Sequence, residues 1–238
     1  MSMLQSEWIK IKRSAIWAIM AISPAGALLT GLIAGARGAS GTWMDALTFI
    51  SILHAMLLLP LLTGVYAAMI CRYEHAGGGW KLLFSLPVPR TKIYAAKFIL
   101  IVFMVALTQL FLLAALLIVG WINGFPSPVP WRELALSFAG GWIACLPLAA
   151  LQLFASTALH SFAAPVAVNA VLTIPNVLIG NSSRFGPYYP WAQPMLAMIP
   201  RGDGGLPDLT IHIAPAALIG SFVLFLLTGW IYMMKKPA

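Results

Sequence analysis

Charge is what this chain has least of. Only 8% of its 238 residues are Asp, Glu, Lys or Arg and just six are acidic, while 61% are apolar and the mean hydropathy is +0.92. Such a composition leaves too little polar surface to cover a water-soluble globule, so the chain reads as an integral membrane protein. Cysteine is also scarce. Cys71 lies at a boundary and Cys145 inside an apolar run, which gives a disulfide little support. A phosphate-cradling G-x-x-x-x-G-K-[ST] loop is missing, because Gly77-Gly78-Gly79 runs into Trp80 and reads as a turn before a short helix. H-E-x-x-H, G-x-S-x-G and paired aspartates on apolar runs are missing too, which leaves metal hydrolysis and acyl-enzyme chemistry without their groups. No enzymatic activity and no cofactor are expected of the chain itself.

What is present is a series of apolar runs separated by short polar breaks. Spans are expected at about residues 14–36, 47–70, 98–122, 134–159, 162–180 and 211–233, each long enough for the roughly 30 Å of a hydrocarbon core. The first run is long and lacks an Ala-x-Ala cleavage pattern, so it is expected to stay in the mature protein. The fold class is therefore all-α: a polytopic membrane protein of six transmembrane helices, read as one domain over residues 1–238. Before the first span, residues 3–13 place Leu4, Trp8 and Ile11 at helical spacing among Glu7, Lys10, Lys12 and Arg13, the pattern of a helix lying in the membrane interface.

The distribution of basic residues sets the orientation. With both termini inside, Lys10, Lys12, Arg13, Arg72, Lys81, Arg90, Lys92, Lys97, Lys235 and Lys236 face the cytosol, and only Arg37, Arg132, Arg184 and Arg201 face out. The net charge of +8 is read as basic loops on the cytoplasmic face, with no nucleic-acid partner. The external loop is expected over residues 181–210. Its stretch from Trp191 to Ile199, beside Tyr188 and Tyr189, reads either as an interfacial or re-entrant turn or as an ordinary aromatic belt.

Ion coupling across a bilayer usually needs carboxylates or lysines inside the spans, and these six spans contain none. His54 lies in the interior of the second span, open to a proton-relay or a packing role. Asn169 and Asn176, on a fifth span interrupted by Pro165 and Pro175, are candidates for lining a path or for interhelical packing. Energy is then expected from a partner, acting on the cytosolic segment 71–97. There Trp80, Leu83 and Phe84 would fill a pocket on that partner or rest on the membrane, Lys81 and Arg90 would make rim contacts, and Glu74 would pair with Arg72 or with a basic group of the partner.

Two stretches carry a family resemblance. Glu7-Trp8-Ile9-Lys10-Ile11-Lys12-Arg13-Ser14 is similar to E-x-x-K-x-K-R-S, and Trp80-Lys81-Leu82-Leu83-Phe84-Ser85-Leu86-Pro87-Val88-Pro89-Arg90 is similar to W-K-x-L-x-S-L-P-x-x-R. The chain thereby resembles ABC-2 type permeases, in particular the small subunits of lantibiotic-immunity and bacitracin-type peptide antibiotic exporters. The resemblance implies an elbow helix at 3–13 with Glu7, Trp8, Lys10, Lys12 and Arg13, and a coupling helix within 71–97. It assigns the ATPase-coupling role to Glu74, Trp80, Lys81, Leu83, Phe84, Pro87 and Arg90. It further implies two copies of an ABC ATPase subunit, a second permease subunit identical or homologous to this one, an amphipathic peptide cargo and a bacterial cell membrane. A secondary transporter working through His54, or a scaffold or sensor subunit with no transport path, are the alternatives.

Overall fold

A computed structural model describes residues 3–12, 14–36, 41–75, 78–200 and 214–236, all of whose regular structure is helical. Arg13, Arg37, Gly77, Arg201, the end of the expected external loop and the start of the expected last span lie outside the described residues. The helices are α1 (Met3–Lys12), α2 (Ile16–Ala36), α3 (Trp43–Leu53), α4 (Leu59–His75), α5 (Gly79–Ser85), α6 (Arg90–Ile122), α7 (Trp131–Ala144), α8 (Leu146–Ala158), α9 (Ala163–Thr173), α10 (Asn176–Ile179), α11 (Gln193–Met198) and α12 (Pro215–Lys235). A π-helical turn, His54–Leu58, joins α3 and α4 into one rod.

Among the described residues five helical segments are long and apolar enough to cross a membrane: Ile16–Gly35, Trp43–His75, Arg90–Ile122, Trp131–Ala158 and Pro215–Lys235. The expected fifth span, 162–180, is instead the shorter pair α9 and α10, because Pro175 cannot continue the hydrogen-bond ladder. Two helices run well past their expected ends. The second span was expected over 47–70 but the rod covers Trp43–His75, and the third was expected over 98–122 but α6 starts at Arg90. Charged residues at a span's end signal water, yet they do not stop a helix. Its boundaries are set by caps and breakers: Thr42 and Asp45 form a reciprocal capping box that starts α3, and Pro89 precedes α6. At 33 residues α6 is about 50 Å long, well beyond the hydrocarbon thickness.

The interior is a contiguous apolar core in which α6 packs against α2, α4 and α1, while α8 packs against α4 and α12. Residues 191–198 do not float outside: Trp191, Ala192, Gln193, Met195 and Met198 are buried, with α11 lying against α7. One end of the bundle gathers α1, the corner between α4 and α6 that includes α5, the end of α8 and the last turn of α12.

Candidate functional site

At that end, helical periodicity carries three charges into the core. Glu74 continues the buried stripe Ala67, Ile70 and Cys71 of α4; Lys97 sits on the stripe Ile93, Leu100 and Ile101 of α6; Glu7 shares a face of α1 with Ile11. Lys97 is completely buried, and its Nζ lies 3.0 Å from Glu7 Oε2, 3.0 Å from Glu74 Oε2 and 3.0 Å from the carbonyl oxygen of Ile70. An ammonium has three donors, and here three oxygens surround it. From the more open side Lys10 Nζ reaches both remaining carboxylate oxygens, Glu7 Oε1 and Glu74 Oε1, at 2.7 Å each. The four side chains form a neutral, closed set that ties α1 to α4 and α6. Desolvating such charges costs several kcal/mol per ion, so the set holds only while complete; loss of one partner costs about 3–5 kcal/mol.

The expectation for Glu74 is corrected by this geometry: it is not free for Arg72 or for a partner protein, since α4 continues to His75 and turns its carboxylate inward. Arg72 is exposed. In α1, Glu7 and Lys10 belong to the charge set, Trp8 packs edge-on against Trp17 and Phe103 at 5.9 Å and 5.7 Å, and Lys12 is exposed.

The short helix α5 hangs beneath this set. Gly78 starts it with φ at +76°, a left-handed conformation that favours glycine, and a Cβ on Gly79 would sit 2.7 Å from the carbonyl oxygen of Tyr73. The glycines thus make the expected turn and let α5 approach the end of α4. Trp80 and Leu83 are both only 8% exposed. Trp80 Nε1 donates to His75 Nδ1 at 3.3 Å, and His75 Nε2 lies 2.6 Å from the carbonyl oxygen of Ser156. That pattern puts the imidazole proton on Nε2. The reading of Trp80 and Leu83 as anchors for a partner's pocket is therefore corrected: they hold α5 to its own bundle. Phe84 is half-buried, with the Arg90 guanidinium 4.4 Å from its ring centroid.

Arg90 is likewise turned inward rather than to a rim, donating to the carbonyl oxygens of Met234 at 2.8 Å and Lys236 at 2.7 Å. Lys236 Nζ lies 4.8 Å from the Trp80 ring centroid and donates to the carbonyl oxygen of Thr157; burial lowers its pKa below the ordinary lysine value. Among the side chains of this segment that do face outward, Lys81, Leu82 at 70% exposure, Leu86 at 48%, and Pro87 lie together on and just after α5. Sequence reasoning passed over Leu82 and Leu86 in favour of aromatic anchors. The signal that distinguishes them is helical spacing, since 80 and 83 share one face of α5 and 82 lies on another, while Leu86 follows the helix in extended backbone.

The residues expected near a path are in the middle of the bundle and closed off. His54 is buried and hydrogen-bonded with Ser23 Oγ at 2.6 Å. Pro60 has no N–H for the carbonyl oxygen of Met56, and Asn176 Nδ2 donates there instead at 2.8 Å, and to the carbonyl oxygen of Trp191 at 2.9 Å. Asn169 Nδ2 donates to the carbonyl oxygen of Pro60 at 2.9 Å, while its Oδ1 accepts from Gln152 Nε2 at 2.8 Å and Trp191 Nε1 at 2.9 Å. All three make contacts inside the chain: His54 with Ser23 of α2, and Asn169 and Asn176 with main-chain carbonyl oxygens of the α3–α4 rod. Among the described residues, no group of three or more His, Cys, Asp or Glu side chains is placed to hold a metal ion.

With five described segments long and apolar enough to cross a membrane, the chain belongs to the class of multi-pass helical membrane proteins. The comparison with known families agrees: residues 3–176 match the ABC-2 family transporter protein, and the chain belongs to that family. It is a membrane permease subunit of an ABC transporter, and family membership implies an ABC ATPase as its partner. No curated protein matches the chain.

Proposed function

We propose that this permease subunit is worked from its inner end by an ABC ATPase that docks on the ridge formed by Lys81, Leu82, Leu86 and Pro87. The observation that carries this reading is the division of labour within α5. Trp80 and Leu83 fix the helix to the bundle, which leaves Leu82 and Leu86 as two large apolar side chains projecting from a rigid mount. Rigid apolar anchors with a basic residue beside them suit a pocket on a protein partner. Beneath the ridge the Glu7–Lys10–Glu74–Lys97 set joins the same corner to α1 and α6, so a push on α5 is delivered to the long helices. The ridge and both described ends of the chain then face the cytosol, in line with the distribution of lysines and arginines.

The cargo we assign is an amphipathic peptide of the lantibiotic or bacitracin kind, expelled from the bacterial membrane. That choice is supported by the two motifs at residues 7–14 and 80–90. Because His54, Asn169 and Asn176 are occupied within the chain, the route is assigned to a face shared with a second permease subunit, and α2 and α12, whose surfaces are the least covered, offer it.

The test is Leu82→Asp together with Leu86→Asp in the full chain. The double variant should fold and insert normally, because neither side chain is buried, and should lose the ATPase on co-purification from detergent. Retention of a fully associated, cargo-stimulated ATPase would sink the docking surface. Trp80→Asp and Leu83→Asp are poor tests, since they place a charge against the bundle.

A further inference from the structure

We propose that Arg90 and Lys236 are positioning residues that fasten α5 to the last turn of α12, so that the final span moves with the docking ridge. The inference rests on the reading of α5 as the docking helix.

The last carbonyls of a helix have no partners within it. At the end of α12 those of Met234 and Lys236 are both taken by one guanidinium nitrogen of Arg90, at 2.8 Å and 2.7 Å, across 144 and 146 positions of sequence. The same guanidinium lies 4.4 Å from the centroid of Phe84 on α5. Lys236 completes the clasp from the other chain segment: its Nζ stands 4.8 Å from the Trp80 ring centroid and 5.4 Å from that of Tyr232. Each inward aromatic of α5 thus carries a cation that is either supplied by the end of α12 or bound to it. A planar guanidinium with several donors can hold two carbonyls while its face lies over an aromatic ring, a pre-organised geometry that a flexible, strongly hydrated ammonium matches only in part.

The arrangement matters because α12 is the least enclosed of the described spans and packs along α8 and against α6, where Phe222 lies 6.0 Å from Phe98. Without the clasp, movement of α5 would reach the final span only through those neighbours. With it, α5 and the end of α12 form one body.

The experiment uses the full chain in lipid nanodiscs, with spin labels on Ser85→Cys, a position of α5 that is not part of the docking ridge, and on Ile231→Cys. Both positions are exposed, and the native Cys71 and Cys145 are buried. The distance between the labels is read with and without the ABC ATPase that co-purifies with the otherwise unaltered chain, in its nucleotide-closed state. The clasp predicts a narrow distribution that keeps its mean on closure. Arg90→Ala and, separately, Lys236→Ala should lose that narrow distribution, Arg90→Lys should retain part of it, and all three should still bind the ATPase. A distribution that stays narrow in both alanine variants overturns the clasp. Loss of ATPase binding in Arg90→Ala with an unchanged distance also overturns it, and makes Arg90 a docking contact. If the unsubstituted chain binds no ATPase, the docking reading fails, and the clasp is judged on the distances alone.

Discussion

At the inner junction four full charges cross-link α1, α4 and α6, whereas halfway along the same α3–α4 rod the cross-links are neutral amides, Asn169 and Asn176, reaching in from α9 and α10. Both regions bury polar groups among packed helices, yet they answer different needs. In the middle of the bundle Pro60 leaves a main-chain carbonyl without its donor, and a side-chain amide supplies one with no net charge to desolvate. At the inner end the rod passes toward water, where an ion is cheaper to place, and a set of two lysines and two glutamates gives stronger, directional ties. Depth thus selects the chemistry: amides repair a helix where charge is prohibitive, and charges join helices where water is near.

This contrast breaks most visibly at Lys97. Lys97→Met leaves two buried carboxylates with only Lys10 as counter-charge and should cost about 3–5 kcal/mol, read as loss of folded, monodisperse protein after heating in detergent. Adding Glu7→Gln and Glu74→Gln should restore much of it, because the one charge that then remains, Lys10, is partly exposed and can be met by water; failure of that rescue would mean the lysine acts through its packing instead. Lys10→Met should be milder, since its side chain is 31% exposed and water can take over part of its role. The smallest effect is expected in the middle. Asn176→Leu strands the carbonyls of Met56 and Trp191, and interhelical hydrogen bonds within membranes average only about 0.6 kcal/mol, with a maximum near 1.7. A loss at Asn176 as large as that at Lys97 would contradict the depth rule.

Much of the architecture was legible in the sequence. The apolar runs locate the long helices, and Gly77-Gly78-Gly79 marks the turn into α5. Two kinds of information were not legible. Charged residues at the ends of apolar runs were read as loop, although Glu74 and Lys97 fall on the stripes Ile70–Glu74 and Ile93–Lys97–Ile101 and continue their helices; only extending the helical period through the charges would have shown it. The aromatic Trp80 resembled a partner's anchor because size and hydrophobicity do not say which face of a seven-residue helix is inward. That face is decided by contacts from afar, the His75 imidazole and Lys236 among them, and no local pattern encodes them. The amides of α9 and α10 were visible as polar residues on kinked segments, but their targets are carbonyls exposed by a proline more than a hundred positions away.

The length of α6 has a mechanical consequence. From Arg90 to Val119 it contains neither glycine nor proline, so it has none of the usual causes of a sharp bend. One extremity is held through Arg90 to α12, and at the other Asn123 donates to the carbonyl oxygen of Gly31 on α2. A tilt imposed at the Arg90 end must therefore emerge as displacement at the Ile122 end, which makes this helix a lever rather than a relay, with no step at which the signal need be rebuilt.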